Sequence, residues 1–380
     1  MGDGTKVIGL DGTLGNGRIE MRVLYGVCSW GLGHATRSLP IIRKLIVEGN
    51  EVTLVSAGRS LELLKLELKD RASYLDLEDY PLPYTEKSKY FLLKFCLYSP
   101  KLIRSIIEEH KRIMKIIGKN KFDIIISDNR YGIFHRNIPS FLITHQLRII
   151  APRRIKLIEN SFERYNTHFL KYFKVMMVPD YEQDGVAGDL AHDLNVLPSD
   201  RVAYFGIISD FKKRDVTQDF DFLFSVSGPE PQRTVLENLI CKQINNIKGK
   251  IILSLGRNLN ELDKKKRKAL NENIQLFDFL QKEDRELIMN RSKFIVSRSG
   301  YSTLMDIYAL GKKAMFIPTP QQTEQEYLAM FHEQRGNFYF VDQDKIDLSK
   351  DLEKAKNYRG ADKRFDLEKN TQRFLDVIYQ

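Results

Sequence analysis

Cysteine is scarce. Cys28, Cys96 and Cys241 are the only three in 380 residues, and they lie far apart with no metal-type spacing. That excludes a disulfide-stapled scaffold and points to a reducing cytoplasm. No apolar stretch has the length that suits a bilayer span. Residues 1–20 are polar and glycine-rich, unlike a secretory signal, and read as a flexible leader or short hairpin.

Several catalytic signatures are also incomplete. "LDGTL" near the start resembles the end of the haloacid-dehalogenase motif DxDGT, but the nucleophilic aspartate would fall on Gly9. Without a nucleophile that covalent chemistry fails. Asp219-Phe220-Asp221 spells the DxD of metal-dependent transferases, yet it sits at a domain join, and short acidic triplets are common by chance. No metal site and no cofactor is expected.

What is present is a globular composition, 42% hydrophobic and 29% charged, long enough for two domains. The net charge of +10 favours an anionic partner. No recognised nucleic-acid module accompanies it, so a nucleotide or an acidic membrane surface fits better.

Apolar runs alternate with helical segments. Strands are predicted at residues 21–27, 51–55, 122–127, 138–144 and 175–178, and again at 222–227, 250–255, 294–297 and 314–317. Continuous apolar strands separated by helices imply parallel sheets covered on both faces. The first helix is predicted over 37–48. Two sequential α/β units follow: an N-terminal domain over 21–208 and a C-terminal domain over 209–360. Residues 87–121 and 148–174 mix basic and apolar residues. They read as surface helices with one core face, or as contact with an anionic membrane surface.

The stretch 29–38, "SWGLGHATRS", follows the first strand. Gly31 and Gly33 let a ligand approach the backbone, and a helix N-terminus suits phosphate or developing negative charge. The third glycine of GxGxxG is missing, as is an acidic residue after the second strand, so this is no NAD site. GK[ST] is absent too, so it is no NTPase loop. His34 sits where open α/β sheets bind ligands, with a side chain suited to general-base work or to packing.

The second half repeats the pattern. "SRSGYSTLMD" offers Arg298, Ser299, Gly300, Tyr301, Ser302 and Thr303 at a helix start, suited to a diphosphate. "SVSGPEPQRT" supplies a turn at Ser227 and Gly228, with Arg233 available for phosphate. "IPTPQQTEQEYLA" adds a polar cluster with Gln322, Glu324 and Gln325.

In order, "GLGHATRS", "IPSFLITHQ", "RSGYSTLMD" and "PTPQQTEQEYLA" resemble the motifs of the GT-B glycosyltransferases, the family 28-like group with the MurG-type N-acetylglucosaminyltransferases and the UDP-glucuronosyltransferases. The resemblance implies two Rossmann-like domains facing across a cleft, with a nucleotide sugar, usually UDP-linked, on the C-terminal domain. A final helix within 361–380 would cross back. Asp306 stands where the family bonds the ribose, one methylene shorter than the usual glutamate. Glu324 and Gln325 match the sugar-contacting pair, and Gln146 matches an acceptor-side loop. His34 would be the base of an inverting transfer and Asp128 its orienting partner or a structural strand end. Acceptors in the superfamily include lipids, glycans and small molecules. Two other readings stay open: an isomerase like the UDP-GlcNAc 2-epimerases, and a non-catalytic nucleotide-sugar-binding subunit of a membrane complex.

Overall fold

The computed structural model describes residues 20–80, 91–151, 154–257, 267–362 and 364–380, with side chains in 91–99 left aside. The leader, "LDGTL" and the start of the 87–121 segment lie outside the described residues.

The first sheet has seven parallel strands: β1 (Arg22–Val27), β2 (Glu51–Ser56), β3 (Ser73–Asp76), β4 (Ile124–Asp128), β5 (Ser140–Ile143), β6 (Val175–Val178) and β7 (Val202–Tyr204), in the order β3-β2-β1-β4-β5-β6-β7. β4 is wholly buried and β1 nearly so, as expected when helices cover both faces. The second sheet has six: β8 (Phe220–Ser225), β9 (Ile251–Ser254), β10 (Ile274–Phe277), β11 (Ser292–Ser297), β12 (Lys313–Phe316) and β13 (Tyr339–Phe340), in the order β10-β9-β8-β11-β12-β13. Both wind as 3-2-1-4-5-6, with a seventh strand added at the end of the first, the doubly wound order whose crevice opens where the strand order reverses. The chain is therefore α/β with two Rossmann-like units.

Helix α1 (Leu32–Val47) begins five residues earlier than predicted. Gly31, at φ 97°, turns the chain directly into the helix, a conformation that costs glycine little. The "GLGHATRS" stretch is thus largely the first turns of α1 rather than a loop before it. Helices α2 (Gly58–Leu68), α3 (Phe91–Ile117) and α4 (Lys156–Phe169) complete the first unit. The second carries α5 (Gln232–Gln243), α6 (Lys282–Arg291), α7 (Tyr301–Leu310), α8 (Thr323–Gln334) and α9 (Leu348–Ala355).

The units are joined by more than the linker. One apolar cluster runs from Leu142, Phe173, Val186 and Leu190 of the first to Tyr301, Leu304 and Leu328 of the second. The last helix, α10 (Leu367–Ile378), leaves the second unit and packs on the first, with Phe374 edge-on to Phe205 at 5.2 Å between ring centroids. Asn370 holds the same junction by donating to the Ile207 carbonyl at 2.9 Å.

Phe374 is fully buried, so Phe374→Ala removes a large side chain from a packed site. A loss of about 3–5 kcal/mol is expected, read as a lowered denaturation midpoint. A wild-type midpoint would mean that α10 contributes nothing to the fold.

Candidate functional site

The site is built where the C-terminal ends of both sheets meet. β4 ends on Asp128, which is fully buried. An ionised carboxylate there must be paired, because burial of an isolated charge is very costly. The partners come from α1. Arg37 reaches it with two nitrogens: Nε donates to Oδ2 at 2.9 Å, and Nη2 donates to Oδ1. Ser38 Oγ donates to Oδ2 at 3.0 Å. His34 Nδ1 lies 2.9 Å from Oδ1. His34 and Arg37 are three residues apart, so they share the helix face that looks at β4.

These contacts fix the protonation pattern. Burial pushes the Asp128 carboxyl up, but Arg37, then His34, hold it well below the usual carboxylate range. It is an anion and can only accept. The 2.9 Å contact with His34 is attractive only if Nδ1 carries the proton, which leaves Nε2 with its lone pair free. Arg37 Nη2 also lies 2.8 Å from His34 Nδ1, but the carboxylate oxygen between them is the stronger acceptor. Burial first, and then the Arg37 charge, hold the His34 pKa below its ordinary 6.5, against the pull of Asp128. His34 is therefore neutral at neutral pH, with an imidazole nitrogen available to take a proton.

Sequence reasoning named His34 and Asp128 but gave no role to Arg37 or His145. Arg37 Nη1 donates to His145 Nδ1 at 3.0 Å. His145 follows β5 and lies flat on Tyr301 of the other unit, 4.4 Å between centroids at 9°. The signal for Arg37 was its spacing from His34. For His145 it was only its place beside Gln146, which is half-buried and whose backbone N–H bonds Thr144 Oγ1.

Opposite lies the start of α7. Gly33 faces Ser302 there, and a Cβ on Gly33 would sit 2.5 Å from Ser302 Oγ. A larger residue at 33 would force the Ser302 hydroxyl to turn away. Gly300 precedes the helix, and Ser302 and Thr303 are partly exposed in its first turn. Glu324, on α8, faces His145 Nε2 at 3.5 Å and lies by the Tyr301 backbone amide. Those two partners hold its carboxyl below the ordinary value in spite of burial.

Other residues named from sequence support this surface from behind. Arg298 is buried and spends its donors on the carbonyls of Ser227, Gln232, Ile317 and Pro318 and on Gln343 Oε1. Burial without a carboxylate lowers its pKa to about 10. It bolts the turn containing Ser227 and Gly228 to the loop after β12. Ser299 Oγ donates to the Gln325 carbonyl at 2.7 Å, and Gln325 Oε1 accepts from Thr319 N at 2.9 Å. Gln322 is the N-cap position of α8. Arg233 pairs with Glu230 and Glu237 and donates to the Leu255 carbonyl. Asp306 accepts from Ser209 Oγ at 2.7 Å and pairs with Arg285 at 3.3 Å, in a recess between the units. Asp219 and Asp221 are bound to Arg291 and Lys293. Among the described residues no cluster of three or more His, Cys, Asp or Glu could hold a metal ion.

A doubly wound pair of units with a histidine–aspartate pair at the strand-order reversal places a ligand crevice at that pair. Comparison with known proteins gives the class. Residues 21–169 match the family described as "Glycosyl transferase family 1", and residues 230–378 match "Glycosyltransferase family 28 C-terminal domain". The chain is a glycosyltransferase of GT-B fold whose C-terminal unit is family 28-like. An "Uncharacterized glycosyltransferase" of Methanosarcina mazei is 23% identical over 337 residues, 83% of this chain and 84% of the relative. In fold it is similar to MurG of Acinetobacter baumannii (TM-score 0.60, 14% identity, 94% and 99% of the two chains). It is also similar to CalG4, the calicheamicin glycosyltransferase (TM-score 0.62, 13% identity, 96% and 95%).

Asp128→Asn keeps the shape but leaves Arg37 buried without its counter-charge. Removing one partner of such a pair costs about 3–5 kcal/mol, to be read from denaturant unfolding. A loss well under that would mean that Arg37 is held by other partners.

Proposed function

We propose that the protein transfers a sugar with inversion from a uridine-diphosphate-linked donor to an acceptor hydroxyl. The observation that carries this reading is the Nε2 of His34, unpartnered among the described residues, backed by Asp128 and set across from the α7 N-terminus. The acceptor oxygen attacks the anomeric carbon and forms the new glycosidic bond. The bond from that carbon to the diphosphate oxygen breaks, and its electron pair leaves with the nucleoside diphosphate. The acceptor proton passes to His34 Nε2. Asp128 then stabilises the imidazolium, as in other triad-like arrangements.

On this reading the donor rests on the second unit. The amides of residues 300–303 and the α7 dipole meet the diphosphate, with no step routed through a metal. Glu324 and Gln325 meet the sugar, Asp306 the ribose, and the turn at Ser227 and Gly228 closes over the nucleotide. Arg233 and Arg298 act by holding loops in place. Gln146 lines the acceptor side.

The acceptor is proposed to be lipid-linked and met at an anionic membrane surface. On α3 the exposed Ile103, Ile107 and Met114 share a face, with Lys101, Arg104, Lys111 and Lys115 about them. Leu157, 72% exposed, begins a similar surface on α4. Apolar side chains among cations suit shallow insertion beside acidic headgroups. No described helix is long and apolar enough to cross a membrane.

His34→Ala should reduce kcat by roughly 10²–10⁴ with little change in UDP affinity, since the nucleotide sits on the other unit. Near-normal turnover would refute the base role. Turnover of UDP-N-acetylglucosamine by the wild type without any acceptor would favour an isomerase instead.

The membrane reading predicts co-sedimentation with anionic vesicles at low ionic strength and release at high salt. Ile107→Glu should abolish it. Failure of the wild-type protein to sediment at low salt would remove the membrane contact.

A further inference from the structure

His145 has one buried proton with nowhere to go. The side chain is 7% exposed, and its Nδ1 accepts from Arg37 Nη1 at 3.0 Å. Arg37 is itself fixed by Asp128, so it cannot turn away. The proton of the neutral ring therefore lies on Nε2, and that N–H has no hydrogen-bond partner among the described residues. A buried donor left unmade is destabilising, so the site favours an acceptor there. Stacking on Tyr301 keeps the ring in place, and the Tyr301 hydroxyl is in turn anchored by donating to the Pro179 carbonyl at 2.7 Å.

Nε2 faces Glu324 Oε1 at 3.5 Å, too long for a formed hydrogen bond. The same carboxylate lies by the Tyr301 amide at the head of α7. A helix N-terminus, an orphaned N–H from the opposite unit and a carboxylate between them make up an anion site whose present occupant fits it poorly.

We propose that His145 donates this proton as a hydrogen bond to the diphosphate of the donor, and that Glu324 is a resident anion which the diphosphate displaces. The inference rests on the nucleotide-sugar reading above. His145 thus clamps the leaving group from the acceptor side of the cleft, while the α7 amides hold it from the other. Arg37, donating to Nδ1, polarises the ring and makes Nε2–H a stronger donor without charging it. Arg37 thereby serves both histidines: through Asp128 it sets His34, and directly it sets His145. Glu324, once displaced from the Tyr301 amide, is free to meet the sugar hydroxyls. Neither Arg233 nor Arg298 competes for this role, since both are committed to protein partners.

The test compares UDP with UMP, which lacks the second phosphate, by calorimetry on the full chain. His145→Phe keeps a flat ring on Tyr301 and removes the donor. It should weaken UDP by about tenfold or more, the effect of one hydrogen bond to a charged group, and leave UMP unchanged. His145→Gln, which can present an amide N–H at the same depth, should recover most of the difference. Glu324→Gln removes the resident charge and should bind free UDP several-fold more tightly than wild type. This gain of affinity would not arise from a merely structural role. Equal losses of UDP and UMP in His145→Phe, no loss at all, or no gain in Glu324→Gln would each overturn the proposal. Wild-type protein that binds none of UDP, GDP or dTDP would overturn the nucleotide-sugar reading itself, which is a separate result.

Discussion

The structure turns on the burial of one negative charge. Asp128 ends the central strand of the seven and is fully buried. A carboxylate in that position requires a full set of donors, and the donors all come from one helix. Meeting that requirement sets the rotation of α1 about its axis. It places Arg37 in the interior and leaves His34 at the rim, its Nδ1 occupied and its Nε2 open. The chemistry proposed for the site is thus a consequence of how a buried charge is neutralised. The glycines before His34 let the helix begin close to the strand and close to α7.

The second unit solves a matching problem with the opposite sign. Both sheets wind in the same order, so the end of β4 and the end of β11 are equivalent places. In the first the buried group is Asp128, and in the second it is Arg298, immediately after β11. Arg298 finds no carboxylate but a ring of backbone carbonyls, which fixes the loops over which a nucleotide would lie. Each unit therefore uses one buried charged side chain at the strand-order reversal to shape its half of the cleft. Tyr301, stacked on His145 and anchored at Pro179, registers the two halves against each other.

Much of the fold was legible in the sequence because the central strands are long apolar runs. The four strands that escaped, β3, β7, β10 and β13, are the edges of the two sheets. An edge strand covers less core and keeps polar positions, so its apolar run is short or interrupted, as in Ser73–Asp76. The early start of α1 was hidden because Gly31 caps it without any side-chain hydrogen bond. In the site, His34 stood out by its place in a glycine turn, and Asp128 by its place at a strand end. Arg37 and His145 did not. An arginine reads as surface until its counter-charge is known, and here that partner lies 91 residues away. His145 meets Arg37 across 108 residues, a pairing that only the fold brings about. Arg233 and Arg298 show the converse: each looked available for phosphate, and each is committed to the protein.

The central claim is that Asp128 accepts a hydrogen bond from the Nδ1–H of His34 and leaves Nε2 bare at neutral pH. Histidine-selective ¹⁵N NMR across a pH titration reads both parts directly. The account predicts a neutral ring protonated at Nδ1. It also predicts a titration midpoint below 6.5, because burial and Arg37 both oppose the imidazolium, so the bare Nε2 is present above that midpoint and lost as the pH falls through it. A ring protonated at Nε2, with Nδ1 accepting from Arg37, or a midpoint above 6.5, would contradict it.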